Sequence, residues 1–167
     1  MSFSIRPLRP EDMETVRWVI GTVSGESGFG DASATKTKLK PGGYLADLQE
    51  VNERYFNKGG VFKVMTDRDR VVGTGAVRRI SETVCELKQL WLLSAYRGRG
   101  LGFEMALQLI EWAKDNHFEQ MKVEAFQSQE EAQKLLRKLG FKPTERYQEG
   151  PGELFMELDL SKFNSTY

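Results

Sequence analysis

A glycine-rich loop joins a predicted strand to a predicted helix near the middle of the chain. The segment from Tyr96 to Gly102 reads Y-R-G-R-G-L-G and follows a strand-like run from Val84 to Leu93. Apolar residues then recur at helical spacing, at Phe103, Ala106, Leu107, Ile110 and Ala113. Alternate glycines let the backbone turn tightly and let its N–H groups approach a ligand. Because the unpaired N–H groups and the positive dipole end of the helix face the same loop, the pattern predicts a phosphate-binding site.

Two common nucleotide-binding patterns do not fit this loop. A P-loop needs Lys followed by Ser or Thr after its last glycine, whereas Phe103 and Glu104 follow here. A dinucleotide-binding fold needs G-x-G-x-x-G and an acidic residue at the end of the second strand. The spacing here is G-x-G-x-G, and Glu124 lies inside the next predicted strand, Met121 to Phe126. We therefore predict neither ATP or GTP hydrolysis nor dinucleotide binding.

An ordered set of motifs around the loop resembles the GNAT acetyltransferase superfamily. Arg97 to Gly102 resembles its acetyl-CoA signature, R/Q-x-x-G-x-G/A. The strand from Glu86 to Leu92 is similar to the family's E-L-K-R-x-Y-V strand, and the helix from Leu101 to Lys114 is similar to its G-x-G-x-x-L helix ending in W-A-K. Lys138 to Phe141 resembles its late K-L-G-F turn. The motifs occur in the family's order and spacing over roughly a third of the chain.

The resemblance implies an α/β (α+β) fold of the GNAT type. Its layout is a mixed, mostly antiparallel central sheet of six to seven strands with helices on both faces, and the predicted element order β-α-α-β-β-β-α-β-α-β matches it. We expect residues 1–167 to form one such domain. Val61 to Thr66 and Val71 to Ile80 are predicted to form a hairpin, and Glu153 to Leu160 the last strand, with a further strand near Thr144 to Gln148. A second helix is predicted from Leu45 to its end at Gly59-Gly60.

Whole-chain composition excludes several other function classes. Lys plus Arg and Asp plus Glu balance at 24 each, so no global field would recruit nucleic acid or an anionic membrane. No apolar run has transmembrane length, and the first residues lack a signal-peptide core. The single cysteine, Cys85, suits a reducing compartment, and the chain has no Cys/His cluster for zinc. We therefore expect a cytoplasmic protein without a metal; exposed edge strands would allow a homodimer.

The resemblance implies acetyl-CoA as cosubstrate and assigns it two groups of residues. Backbone N–H groups of the loop would hold the pyrophosphate, and two arginine side chains would add charge at its rim, unless these form only a solvated basic turn. Leu90 and Trp91 would line the pantetheine arm, and the backbone N–H of Leu92 would polarise the thioester carbonyl. The predicted loop residues are Arg97, Gly98, Arg99, Gly100, Leu101, Gly102 and Phe103.

Acetyl transfer to an amine also needs a base, because an amine with a pKa of about 10.4 is almost fully protonated at pH 7. Glu86 is the candidate, since it matches the glutamate of the family's E-L-K-R strand. The alternative is a structural carboxylate paired with Lys88 or Arg78 across the sheet. Many family members also carry a tyrosine that protonates the leaving thiolate, but the matching position here is Leu136 on an apolar helix stripe. The general acid stays open, with water or Tyr147 as alternatives.

The acceptor is the least determined part of the prediction. In this fold it lies beside the early helices, so the stretch from Gly21 to Gly43, which has no apolar period, and Tyr44 are expected to form its wall. A small-molecule amine is the predicted acceptor. Two other classes stay open: a module that binds acetyl-CoA or CoA as a sensor without turnover, and a protein N-acetyltransferase.

Overall fold

The computed structural model describes residues 1–26, 48 and 50–164, and its centre is a seven-stranded sheet in the order β1-β2-β3-β4-β5-β7-β6. The strands are β1 Phe3–Pro7, β2 Val61–Asp67, β3 Arg70–Arg79, β4 Val84–Leu92, β5 Gln120–Ala125, β6 Lys142–Pro143 and β7 Leu154–Asp159. The helices within the described residues are α1 Met13–Glu26, α2 Val51–Arg54, α3 Leu101–Asp115 and α4 Glu130–Leu139. The β4–β5 pair is parallel and the other pairs are antiparallel, which confirms the predicted fold class.

Strand β3 forms the middle of the core. All seven residues from Val71 to Val77 are buried, so both faces of the strand are covered, and both α1 and α3 contact it. Gly75 allows α3 to lie close, since a Cβ there would stand 2.7 Å from Leu109 Cδ1 and 2.8 Å from Met105 Cγ. This close packing fixes the position of α3, and with it the loop that precedes the helix.

The hairpin between β2 and β3 forms where the sequence predicts it. Arg68 and Asp69 have φ angles of 49° and 68°, the left-handed backbone that a two-residue hairpin turn requires. The neighbouring β4 contains the single cysteine. Burial raises the pKa of the Cys85 thiol to about 12, and its Sγ lies 3.5 Å from the carbonyl oxygen of Gln120. The thiol is therefore a packing group.

Three predicted element boundaries differ from the structure. Helix α1 continues through the buried Gly21 to Glu26 and does not give way to a loop there; the rest of the Gly21–Gly43 stretch, and Tyr44, lie outside the described residues. Of the second predicted helix, residues 45–47 and 49 lie outside the described residues; the described part forms α2 and a 3-10 turn at Phe56–Lys58, and Gly59, with φ 80°, ends it as predicted. No strand forms at Thr144–Gln148 and, within the described residues, only Lys142–Pro143 forms β6 with β7; the residues that follow are held as a loop, because Arg146 binds three of its carbonyls.

No helix within the described part of the chain combines the length and apolar character needed to cross a membrane.

A partly buried ion pair fixes the start of α1 to β1. Arg6 donates to both carboxylate oxygens of Asp12, at 2.7 and 2.9 Å, and the Arg9 N–H donates to Asp12 Oδ2 at 2.8 Å. The hydrogen bond from Arg6 is the main cause that lowers the pKa of Asp12. The ionised carboxylate therefore adds stability above the unfolded pKa of about 3.9, and this stability is lost as the pH falls through the lower folded pKa.

We expect Asp12→Asn to lower the free energy of unfolding at neutral pH by about 2 kcal/mol, because it removes charge-assisted hydrogen bonds from a buried site. Urea unfolding at neutral pH measures the loss, and the difference from the native protein should shrink in acid, where native Asp12 is itself protonated. Asp115→Asn, at the exposed end of α3, is the matched control and should change little. A loss for Asp12→Asn that is the same at neutral and acid pH would contradict the assignment.

Candidate active site

The glycine loop folds as an open backbone turn in front of α3. Gly98 and Gly100 have φ angles of 78° and 77°, and a Cβ built on either meets no atom of the described residues within 4 Å. Arg97 fixes the loop to the preceding strand, since its Nε donates to the Leu92 carbonyl at 3.1 Å. Gly100 is the N-cap of α3, and its carbonyl accepts from the Glu104 N–H at 3.0 Å. The glycines thus provide both the left-handed turn and free space in front of it.

The N–H groups at this turn are available to a ligand. Among the described residues, those of Gly100, Leu101 and Gly102 have no hydrogen-bond acceptor, as expected for the first turn of a helix. They lie at the positive end of the α3 dipole, over a helix of 15 residues. The arrangement suits an anionic group such as phosphate.

A cleft of about 650 Å³ opens in front of the loop. Every sequence-predicted cosubstrate residue lines it except Arg99, whose guanidinium lies 6.0 Å from the Tyr96 ring instead. The opposite wall is α4, which contributes two lysines that sequence reasoning missed, Lys134 and Lys138. The residues that the prediction and the cleft share are Leu90, Trp91, Leu92, Arg97, Gly98, Gly100, Leu101, Gly102 and Phe103.

A β-bulge distorts β4 beside the cleft. Thr74 pairs with Trp91 and Ala76 with Lys88, so two residues of β4, Gln89 and Leu90, face the single residue between them on β3. Gln89 adopts φ 52°, a rare backbone conformation for a residue other than glycine. Its carbonyl accepts from Thr74 Oγ1 at 2.6 Å, and its side-chain Oε1 accepts from Trp91 Nε1 at 2.7 Å. Two buried hydrogen bonds therefore hold the strained residue.

The bulge lies where β4 and β5 separate. Their parallel pairing ends at Leu87 opposite Val123, after which β5 continues beside β7 alone. Along an antiparallel pair, backbone groups alternate between facing the partner strand and facing away. Because the Leu93 N–H donates to the Val72 carbonyl on β3, at 3.0 Å, the N–H of Leu92 faces the other way, into the opening.

The Glu86 carboxylate is buried beside this opening and accepts hydrogen bonds from several side chains. Its carboxylate is 1% exposed, and Arg78 Nη2 lies 3.0 Å from Oε1. Tyr147 OH and Gln148 Nε2 donate to Oε2 at 2.6 and 2.7 Å. Burial, together with the nearby Glu86 carboxylate, raises the pKa of Tyr147, so its hydroxyl stays protonated and donates to Glu86. The pairing with Arg78 that the sequence left as an alternative is thus present.

A second carboxylate, Glu124 on β5, joins the same network. The Gln148 Nε2 that binds Glu86 also donates to Glu124 Oε2, at 3.0 Å, and the Gly152 N–H donates to Glu124 Oε1 at 2.7 Å. A small cavity of about 80 Å³ between β4 and β5 is lined by both carboxylates and by Leu90 and Trp91, which also line the larger cleft. The two carboxylates therefore lie beside the predicted end of the pantetheine arm.

The loop that joins β6 to β7, residues 144–153, carries three of the hydrogen-bond donors to these carboxylates, Tyr147, Gln148 and Gly152, and is held by one arginine. Arg146 donates to the carbonyls of Gln148, Gly150 and Gly152, at 3.3, 3.2 and 2.9 Å. Sequence reasoning missed Glu124 and Gln148 as site residues. No local pattern could have indicated them, because 62 residues separate Gln148 from Glu86.

Leu136 lies in the core, 2% exposed, as its place on the apolar stripe of α4 predicts. It lines the small cavity between the strands, at the position where the resemblance to the family implies a tyrosine. This wall of the site therefore offers no hydroxyl from α4 at that position.

Comparisons with known proteins agree with this architecture. The model of the acetyltransferase (GNAT) family matches residues 33–141. Over 140 residues the chain is 30% identical to the uncharacterized N-acetyltransferase YjgM of Escherichia coli (strain K12), covering 82% of this chain and 80% of that protein. A GNAT-family acetyltransferase from Staphylococcus aureus Mu50 superposes with a TM-score of 0.83 at 17% identity, covering 95% of this chain and 99% of that one. The PaiA N-acetyltransferase from Thermoplasma acidophilum, in complex with coenzyme A, has a TM-score of 0.77 at 19% identity, with 95% and 99% covered.

The class of protein follows from the fold, the loop and these matches together: an acyltransferase. The chain belongs to the GNAT acetyltransferase family.

Proposed function

We propose that this enzyme moves an acetyl group from acetyl-CoA to a primary amine of a small-molecule acceptor, by direct attack of the amine on the thioester. One observation carries the proposal: the cleft in front of the loop N–H groups reaches Leu90 and Trp91, and these two residues also line the small cavity between β4 and β5. The cleft volume of about 650 Å³ falls in the range of about 300–1,000 Å³ that is usual for small-ligand sites. The coenzyme A bound to the PaiA relative supports the choice of cosubstrate.

The loop would hold the cosubstrate through its phosphates. Gly98 and Gly100 leave space where any side chain would stand, and the N–H groups of Leu101 and Gly102 would donate to phosphate oxygens. Arg97 and the α4 lysines Lys134 and Lys138 line the same cleft and would attract phosphate, although Glu130 and Glu131 also line it and Lys134 Nζ lies 3.5 Å from Glu131 Oε1. Leu90 and Trp91 would line the pantetheine arm on its way to the opening.

Two groups at the opening would serve the reaction. Acetyl-CoA supplies an activated carbonyl, and the Leu92 N–H would donate to its oxygen as negative charge develops there. A carboxylate must take a proton from the amine, and two carboxylates line the opening, Glu86 and Glu124. With Leu136 at the family's tyrosine position, the thiol leaves without a hydroxyl donor from that side chain; a thiol with a pKa of about 8.5 leaves tolerably as thiolate.

The test is turnover with a panel of amines, namely ethanolamine, methionine, spermidine and kanamycin, each incubated with acetyl-CoA and followed by mass spectrometry of the acetylated product. We expect at least one amine to be acetylated, and its product to be absent without enzyme. Binding of acetyl-CoA without turnover of any amine would favour the alternative function, a CoA-binding sensor, for which Leu136 is the supporting feature. A mass shift of a protein target alone would favour a protein N-acetyltransferase.

A further inference from the structure

Two carboxylates face the opening, but their surroundings differ in a way that separates their roles. Glu86 is fully buried, whereas Glu124 is half-buried. One amide links them, since Gln148 Nε2 donates to both, at 2.7 Å to Glu86 Oε2 and 3.0 Å to Glu124 Oε2. The other end of the amide is also fixed, because Gln148 Oε1 accepts from Arg78 Nη2 at 3.1 Å.

The acceptor capacity of Glu86 is already used. A carboxylate offers about four lone-pair sites. Oε1 accepts from Arg78 Nε at 3.1 Å and lies 3.0 Å from Arg78 Nη2, while Oε2 accepts from Tyr147 and Gln148. A proton from an incoming amine would have to displace one of these donors in a site closed to solvent. Glu86 is therefore poorly placed to accept one.

Glu124, unlike Glu86, can still accept a further hydrogen bond or a proton. The described residues give each of its oxygens one donor, the Gly152 N–H at 2.7 Å and the Gln148 amide at 3.0 Å, so lone pairs remain on both. Its partial exposure gives a captured proton a route to solvent. It lines the small cavity together with Leu90 and Trp91, next to the opening that the Leu92 N–H faces.

From this geometry we propose that Glu124 is the general base that takes the proton from the acceptor amine, and that Glu86 is a positioning residue that acts through Gln148. The inference rests on the proposed acetyl transfer. Arg146 supports the arrangement, because it binds the carbonyls of both residues that hold Glu124, Gln148 and Gly152.

The step balances with the groups named. An ammonium N–H proton passes to a Glu124 oxygen, and the freed nitrogen lone pair forms the C–N bond to the acetyl carbon. The C–S bond breaks and its electron pair goes to sulfur. The second N–H proton, released as the amide forms, goes to the thiolate directly or through water, giving the free thiol. Glu124 then passes its proton to solvent, so the net products are an amide, CoA and one proton.

The test compares Glu124→Gln with Glu86→Gln in the amine assay, with Glu157→Gln on the neighbouring β7 as the matched control. Glu157 lies 3.6 Å from Lys122 and lines neither cavity. We expect Glu124→Gln to lower kcat about 100-fold while acetyl-CoA affinity stays native, since a general base contributes at least this much. Glu86→Gln should lose less, and should lose almost nothing further when Gln148→Leu is already present, because Glu86 acts through that amide. Glu157→Gln should behave like the native enzyme.

The possible outcomes distinguish the assignment of Glu124 as base from the proposed acetyl transfer. Native turnover by Glu124→Gln, or a larger loss in Glu86→Gln, overturns the inference and leaves acetyl transfer intact. No turnover of any panel amine by the native enzyme overturns the proposed function, and the base assignment with it. If Glu124→Gln fails to fold, Glu124→Asp provides the test: it keeps the charge but withdraws the oxygens, so an unchanged kcat there also overturns the inference.

Discussion

Gly100→Val is expected to weaken acetyl-CoA binding by about 100-fold or more, which corresponds to about 2.7 kcal/mol. The loss has two causes. Gly100 has φ 77°, where a β-branched residue costs about 1–3 kcal/mol of backbone strain. The new side chain would also fill the open space in front of the loop N–H groups, which a phosphate needs. Calorimetric titration with acetyl-CoA, and separately with CoA, measures the change.

The control variant must introduce the same backbone strain at a position outside the cleft. Gly59→Val does so, because Gly59 has φ 80° and ends the 3-10 turn after α2. The nearest atoms to a Cβ there belong to the Arg79 guanidinium, at 2.9 Å, which lies outside the cleft and would have to shift. We expect this variant to be less stable than native but to bind acetyl-CoA normally. Equal loss of affinity in both variants would mean that strain, and not a blocked phosphate site, explains Gly100→Val. If the native protein does not bind acetyl-CoA, the glycine loop is only a backbone turn and not a phosphate-binding site.

Thr74→Val is expected to lower kcat by about 100-fold with little change in acetyl-CoA affinity. The Thr74 hydroxyl is the donor that holds the Gln89 carbonyl in the bulge, at 2.6 Å. Without it, the strained φ of 52° at Gln89 can relax and the strand can move toward regular pairing. The Leu92 N–H would then leave its position, and loss of one such donor typically costs about 100- to 1,000-fold in kcat. Steady-state kinetics and a separate titration give the two quantities.

Thr74→Ser keeps the hydroxyl and is the matched control. It removes one methyl group from a buried position and should retain most of the native kcat. Equal activity of the valine and serine variants would show that the bulge does not depend on this hydrogen bond. Equal thermal stability of the two variants is needed before the difference in kcat is assigned to the bulge.

Features encoded by local chemistry were predictable from the sequence. The glycine loop could be recognised because left-handed turns and helix starts depend on a few adjacent residues, and the β2–β3 hairpin follows from its Asp67–Arg70 turn in the same way. The apolar spacing of α3 and α4 indicated which sides of these helices are buried. Leu136 could thus be placed in the core, and a role as proton donor excluded, from the sequence alone.

Features that depend on tertiary contacts were not predictable. Helix α1 passes through Gly21, whose low helix propensity is outweighed by its buried position in the fold. The strand predicted at Thr144–Gln148 does not form, because Arg146 binds three backbone carbonyls and holds this segment as a loop. The link from Gln148 to both carboxylates joins segments distant in sequence, and neither periodicity nor spacing contains that information. The proposal that Glu124 is the base therefore required the structure, whereas most residues of the proposed cosubstrate site could be predicted from the sequence.

The buried thiol on β4 has a practical consequence for kinetics. Release of CoA is most simply followed with a disulfide dye that changes colour on reaction with a free thiolate. The single cysteine of the chain, Cys85, is fully buried and its pKa is raised to about 12, so it offers the dye almost no thiolate at working pH. The folded enzyme should therefore not react with the dye, and the colour should measure only the CoA that is released. Slow colour without amine would then measure unfolding or thioester hydrolysis, which a blank lacking acetyl-CoA distinguishes.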